Sequence, residues 1–269
     1  MENDFAHFTL THTTAGDAAW QPELEALDAG LRARFGFAPE QSAVGVLDLR
    51  TLRLAMVHPD REFYGASVPK IGILLGYFHA RPGAATGLDA RTRHELGEMI
   101  KQSSNELAAK YSHTLGLKQI RAVLESYQLY DANHGGGIWV GKHYGEDGER
   151  QVDPVGGHSH AATVRQLLRF YLLLEQGRLV TPAAARTMRE IFASPGIPHR
   201  HDKFVKGLAG RDVQVLRKAG WWEDWYHDSA IVAGAGRHYL IVALTRHARG
   251  EEYLVEFARA VDDWIGAAR

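Results

Sequence analysis

Ser67-Val-Pro-Lys70 brings together two groups that do acyl chemistry as a pair: a hydroxyl, and an amine three residues further on. The tetrapeptide stands where an irregular segment enters an apolar helical pattern expected over 68–79. Ser67 and Lys70 therefore share one helical face, with Pro69 in the first turn, where a missing N–H does no harm. In a cleft, the ammonium loses hydration and its pKa falls from about 10.4 towards neutrality. A neutral amine beside a hydroxyl can take its proton and leave a serine nucleophile. Taken alone, the pattern reads more simply as a helix-capping serine followed by a solvated lysine.

Two further groupings change that balance. Ser103-Ser-Asn105 is a polar interruption in a helical pattern expected over 92–112, and Lys218-Ala-Gly220 closes a strand expected over 213–217. Ser-x-x-Lys, then Ser-x-Asn, then Lys-x-Gly, in that order, resembles the penicillin-recognising serine enzymes, which comprise class A β-lactamases and D,D-peptidases. The resemblance extends from the first expected hairpin to the last helix. It implies acyl transfer: Ser67 attacks a carbonyl, Lys70 acts as base, and Ser103 relays a proton to the leaving group, helped by the charge of Lys218. Asn105 would hold a substrate amide and Lys70, and the backbone N–H groups of Ser67 and Trp221 would form the oxyanion hole. Expected substrate-binding residues are Asn105, Ala219, Gly220, Trp221, Trp222 and Arg237.

The pattern departs from the family in three places. Ala219 stands where the family usually carries a Thr or Ser whose hydroxyl helps bind a substrate carboxylate, leaving Lys218 or Arg237 to attract an anion. No glutamate followed closely by asparagine occurs in the loop expected over 131–157, so the water-activating group is left open among Lys70, Glu146 and Glu149. The interval from Ser67 to Ser103 is also short for class A enzymes. The expectation is a serine hydrolase that cleaves an amide, lactam or ester through an acyl-serine, and its natural substrate need not be a β-lactam. The alternative is a slowly acylating or non-catalytic sensor on the same fold.

The elements that must position these residues follow from periodicity. An amphipathic helix is expected over 22–35 and a hairpin from strands 44–49 and 52–57. Helices follow over 68–79, 92–112, 118–127 and 161–176, with another opening at Thr181-Pro182. Strands 213–217, 230–235 and 239–245 precede a closing helix over 251–265. Strands from both ends must pair for either hairpin to bury its apolar face. The expected class is α/β (α+β): an antiparallel sheet built from N- and C-terminal segments, flanked by helices, with a helical lobe inserted. It would be a single domain over 1–269, its sheet lobe formed by 1–66 plus 205–269 and its helical lobe by 67–204.

Composition narrows the remaining classes. The 269 residues are 45% hydrophobic and 23% charged, with a formal net charge of −1, so no field recruits nucleic acid or an anionic membrane. Cysteine is absent, which excludes disulfide scaffolds, thiol catalysis and Fe–S clusters. No leader or spanning run is visible, and the expected location is the cytoplasm. A small-molecule substrate is expected, with no cofactor and no metal. The pairs His158-x-His160 and His199-x-His201 read as chance spacings among 15 histidines. His134-Gly-Gly-Gly137 and Gly157-His-Ser159-His-Ala161 resemble α/β-hydrolase signatures, but no strand precedes Ser159, which is expected to cap the following helix.

Overall fold

The computed structural model describes residues 4–267 apart from Ala235. In chain order, α1 (Trp20–Phe35) leads into β1 (Ser42–Asp48), β2 (Leu54–Val57) and the short β3 (Phe63–Tyr64). Helices follow: α2 (Lys70–Ala80), α3 (Ala84–Gly87), α4 (Ala90–Lys101), α5 (Asn105–Leu115) and α6 (Leu117–Ser126). Next come β4 (Tyr130–Asp131), β5 (Gly136–Gly137), β6 (Trp139–Val140) and β7 (His160–Ala162), then α7 (Val164–Glu175), α8 (Pro182–Ala193) and α9 (Lys203–Gly207). The last elements are β8 (Gln214–Trp222), β9 (Trp225–Gly234), β10 (Arg237–Arg246) and α10 (Gly250–Ala267). Among the described residues, no helix is long and apolar enough to cross a membrane.

The main sheet runs β2-β1-β10-β9-β8, antiparallel throughout, so the two ends of the chain meet at the β1–β10 ladder, where Val44 pairs with Ala243 and Val46 with Ile241. Side chains alternate across it. Val44, Val46, Tyr239 and Ile241 pack with Trp20 and Leu24 of α1 and with Leu254, Phe257 and Val261 of α10. The other face joins the helical core through Leu47, Leu240 and Val242. Here α7 lies against β1 so closely that a Cβ on Gly45 would stand 2.5 Å from Val164 Cγ1 and 2.8 Å from Leu168 Cδ1. Only glycine permits that approach.

Helix α2 is apolar on every side and buried from Lys70 to Phe78, as befits a helix enclosed by others. Its first regular residue is Lys70 rather than 68. Ser67 lies in the preceding turn, closed by Val68 N–H to Gly65 O (3.0 Å) and Lys70 N–H to Ser67 O (3.3 Å). The helix expected over 92–112 is two helices, because Ser103 adopts φ +62° and Ser104 caps α5 by accepting from Leu107 N–H at 3.2 Å. The strand expected to end at Arg217 continues to Trp222, and β9 begins at Trp225 rather than 230. Aromatic residues suit a pleated strand, and the two-residue turn Glu223-Asp224 lets Trp222 pair with Trp225. Residues 161–162, expected to open a helix, belong to β7 instead, so Ser159 does not cap α7. β7 pairs with β3, tying residues 63–64 to the inserted region, and α9 spans the border expected at 204/205.

Candidate active site

The free edge of β8, the break between α4 and α5 and the turn before α2 converge on one cleft. Ser67 lies between its two compartments and lines both. One, of about 280 Å³, is lined by Ser103, Asn105, Arg200, Lys218 and Gly220 among others; the second, of about 320 Å³, by Tyr64, Tyr144, Glu146 and His160. Trp221 and Trp222 line both, more than half exposed, as an apolar wall.

Lys70 Nζ sits 2.6 Å from Ser103 O, 2.7 Å from Asn105 Oδ1 and 3.3 Å from Ser103 Oγ. Burial, reinforced by the positive charge of Arg200, brings its pKa down from 10.5 to about 7. A neutral amine has two N–H groups, which the two short acceptors satisfy, and a lone pair left for a hydroxyl. Lys218 Nζ donates to Ser103 Oγ at 2.9 Å and to Ala219 O at 2.7 Å. Burial and the charges of Lys70 and Arg217 hold Lys218 well below the usual lysine range. Arg217 itself is neutralised by Asp228 (2.6 Å) and Asp202 (2.5 Å).

β8 is the edge strand of the sheet, so half of its backbone groups face away from β9. Because Ala219 O accepts from Lys218 Nζ, Ala219 is one of those outward residues, and alternation gives Trp221 N–H the same direction. A Cβ on Gly220 would come within 3.0 Å of both Ser67 N and Gly65 O, so the strand edge lies hard against the turn bearing Ser67. The Gly220–Trp221 edge of β8 thus lies directly beside the turn bearing Ser67.

The turn bearing Ser67 is held from several sides. Buried His227 donates from Nε2 to Tyr64 O (2.7 Å) and accepts from Thr245 N–H at Nδ1 (3.2 Å), which fixes a neutral tautomer; burial moves its pKa to about 4. Gly65 N–H bonds His160 O at 2.9 Å. Tyr144 donates its hydroxyl to Ala66 O at 2.9 Å, while its ring faces Lys70 Nζ at 4.6 Å and stacks on His160 at 4.0 Å. Ala66 adopts φ +46°, a strained conformation for alanine directly before Ser67.

Ser67, Lys70, Ser103, Asn105, Lys218, Ala219, Gly220, Trp221 and Trp222 are thus brought together. Arg237 is not. It pairs with Asp262 of α10 at 2.7 Å because its place on β10 shares the face of Tyr239 and Ile241, and it lines neither compartment. Glu146 reaches the second compartment but is held by His113 at 2.7 Å, whereas Glu149 accepts from Gln151. Among the described residues, no carboxylate bonds Ser67 or Lys70; the aromatic ring of Tyr144 stands there instead.

Arg200 escaped the sequence reading. Its loop is fixed by Arg217 Nη2 to Arg200 O (2.9 Å), His199 Nε2 to Val215 O (3.1 Å) and Gln102 to Pro198 O. Its exposed guanidinium has no hydrogen bond or ion pair among the described residues and lines the compartment that holds Ser103 and Lys218. Tyr144 was equally hidden, since nothing in its local sequence places it under Lys70.

This fold and side-chain set define the β-lactamase-like class of penicillin-recognising serine enzymes. A β-lactamase from Sphaerobacter thermophilus superposes with a TM-score of 0.73 at 14% identity, covering 91% of this chain and 97% of that one. PBP-A gives 0.69 at 16%, covering 91% and 97%, and a class A β-lactamase from Mycobacterium abscessus 0.68 at 16%, covering 90% and 98%. Comparison with curated protein sequences found no match. Residues 82–265 match the model of the beta-lactamase enzyme family, and the chain belongs to that family. The matched span starts beyond Ser67 and Lys70 and contains Ser103, Asn105 and Lys218.

Proposed function

We propose that the protein is a serine hydrolase that opens an amide, lactam or ester through an acyl-Ser67 intermediate. The observation that carries this is the Ser103 hydroxyl, held between the amines of Lys70 and Lys218. Lys70, neutral in part at pH 7, takes the Ser67 proton as Oγ attacks the carbonyl. The oxyanion forms against the N–H groups of Ser67 and Trp221. Ser103 gives its proton to the leaving nitrogen or oxygen as the C–N or C–O bond breaks, and is reprotonated from Lys70. Water then cleaves the acyl ester, returning the Ser67 proton. A solved relative is described as an acyl-enzyme complex of a PBP-A variant with penicillin G, which supports the same covalent intermediate here.

The substrate we propose is a small molecule with an anionic group on the leaving side. Ala219 offers no hydroxyl to a carboxylate, while Arg200, whose guanidinium is unpaired among the described residues, lines the same compartment as Lys218. A second reading, a slowly acylating sensor, is favoured by one observation: among the described residues, no carboxylate bonds Lys70 or Ser67 to activate water. Intact-mass measurement with a panel of activated esters and β-lactams separates these outcomes. Rapid turnover that Ser67→Ala abolishes supports the hydrolase. A persistent adduct on Ser67 supports the sensor, and absence of both turnover and adduct defeats the mechanism.

A further inference from the structure

On the side of β4, far from Ser67 in sequence, His12 and His134 stack with ring centroids 4.0 Å apart, and Asp131 joins them. One ligand atom from each of these three residues lies within 4.8 Å of those of the other two. A tetrahedral ion with bonds of about 2.0–2.1 Å needs its ligand atoms roughly 3.3 Å apart, so the most distant pair closes by no more than about 1.5 Å. The two stacked rings, whose in-plane lone pairs now lie in nearly parallel planes, turn towards a common point as the ion binds. Among the described residues, Nδ1 of the half-buried His12 ring is shut off from solvent without a hydrogen-bond partner. Asp131 Oδ2 meets His134 Nδ1 at 2.7 Å, and Asp131 Oδ1 is anchored by Asn133 N–H at 2.9 Å. The nearby Arg165 guanidinium is already matched by both oxygens of Asp60, at 2.7 and 2.9 Å, so its charge does not oppose a cation unscreened.

We propose that His12, Asp131 and His134 bind one zinc-class divalent ion, with water completing the coordination. Two imidazoles and one carboxylate suit zinc and its late transition-metal neighbours, whereas magnesium and calcium take oxygen ligands. The ion ties the N-terminal segment to the start of the 131–157 stretch. That segment is otherwise held by Arg165 Nη1 to Thr11 O (2.8 Å), Arg169 to Leu10 O, and Gln176 to the carbonyls of Phe5 and Phe8. The role is structural and independent of the chemistry at Ser67. Sequence spacing did not reveal the site, because residue 12 and residues 131–134 meet only in the fold.

The test uses the full chain, stripped with a chelator and titrated with Zn²⁺ by calorimetry and with Co²⁺ by visible absorbance. One equivalent should bind, and Co²⁺ should show the intense bands of a four-coordinate site. His134→Ala, at an exposed side chain, and His12→Ala should each weaken binding by more than the roughly 10–100-fold that loss of an outer-sphere partner costs. Circular dichroism checks that each variant folds. Zn²⁺ should also slow hydrogen exchange over residues 5–14 in the parent and not in His134→Ala. No saturable binding, or an affinity that both substitutions leave unchanged, would overturn the proposal.

Discussion

Lys218 Nζ lies 2.9 Å from Ser103 Oγ, although 115 residues separate them in sequence. The contact joins the edge of a sheet strand to a break between two helices, and it leaves the Ser103 hydroxyl with an amine on each side. Ser103→Ala should lower the acylation rate by about 10²–10⁴-fold, the usual worth of a positioned acid–base group, with little change in substrate affinity. Rapid-mixing kinetics with an ester that acylates in a burst would measure it. Acylation at the parent rate would remove Ser103 from the proton path.

The titration of Lys70 should set the pH profile. Its pKa near 7 means that the base form grows as pH rises, so kcat/KM for an uncharged ester should climb through about pH 7 and level off above it. Arg200 contributes to that low value as a like charge. Arg200→Ala should therefore let Lys70 keep its proton to higher pH, moving the rising limb upward. A limb that stays in place would show that another group controls it.

The same arginine should select the substrate. Against a carboxylate-bearing substrate, Arg200→Ala should raise KM by about tenfold or more, the worth of one charge-assisted hydrogen bond. The methyl ester of that substrate should be nearly indifferent to the substitution. Equal reaction of acid and ester in the parent protein would mean that no anion anchor operates.

Gly220 gives a test of the oxyanion space. A methyl at this position meets Ser67 N and Gly65 O at 3.0 Å, so Gly220→Ala must push the strand edge away from the turn. Loss of one backbone donor from an oxyanion hole costs about 10²–10³-fold in kcat. We expect a loss of that order with the protein still folded, read by steady-state turnover and thermal melting together. Full activity would place the oxyanion elsewhere.

What the sequence made legible was whatever local chemistry encodes. The run after Ser67 reads as a helix because it is largely apolar with a helical period, and the terminal strands read as one sheet because neither hairpin buries its face alone. The strand expected over 213–217 runs on to Trp222, because the small residues of Lys218-Ala-Gly220 hide a strand whose edge is fixed by pairing with β9. Arg237 is expected near the substrate as a cation that could replace the hydroxyl Ala219 lacks, yet period-two alternation along β10 sets it on the face of Tyr239, towards α10. Tyr144 and Arg200 lie in segments without periodicity. Their positions come from backbone bonds made across the fold, such as Tyr144 to Ala66 O, and no spacing in the chain encodes those.

Glu62 supplies a prediction about stability. It lies part-buried between β2 and β3, accepts from Gly137 N–H at 3.3 Å, and shares its surroundings with Asp153. Asp153 in turn accepts from Tyr130 (2.7 Å) and from the N–H groups of Val155 and Gly156 (2.8 Å each), so the pair pins both ends of the 131–157 stretch. Burial first, and the Asp153 carboxylate second, raise the pKa of Glu62 from 4.5 to about 8. Below pH 4.5 the group is protonated in both folded and unfolded chains. Between 4.5 and 8 the unfolded chain releases the proton while the folded chain keeps it, so stability falls as pH rises, levelling off above 8. Glu62→Gln, which keeps the shape and cannot ionise, should flatten that slope in urea unfolding measured across the same range. A slope unchanged by the substitution would show that the folded protein carries Glu62 ionised at neutral pH.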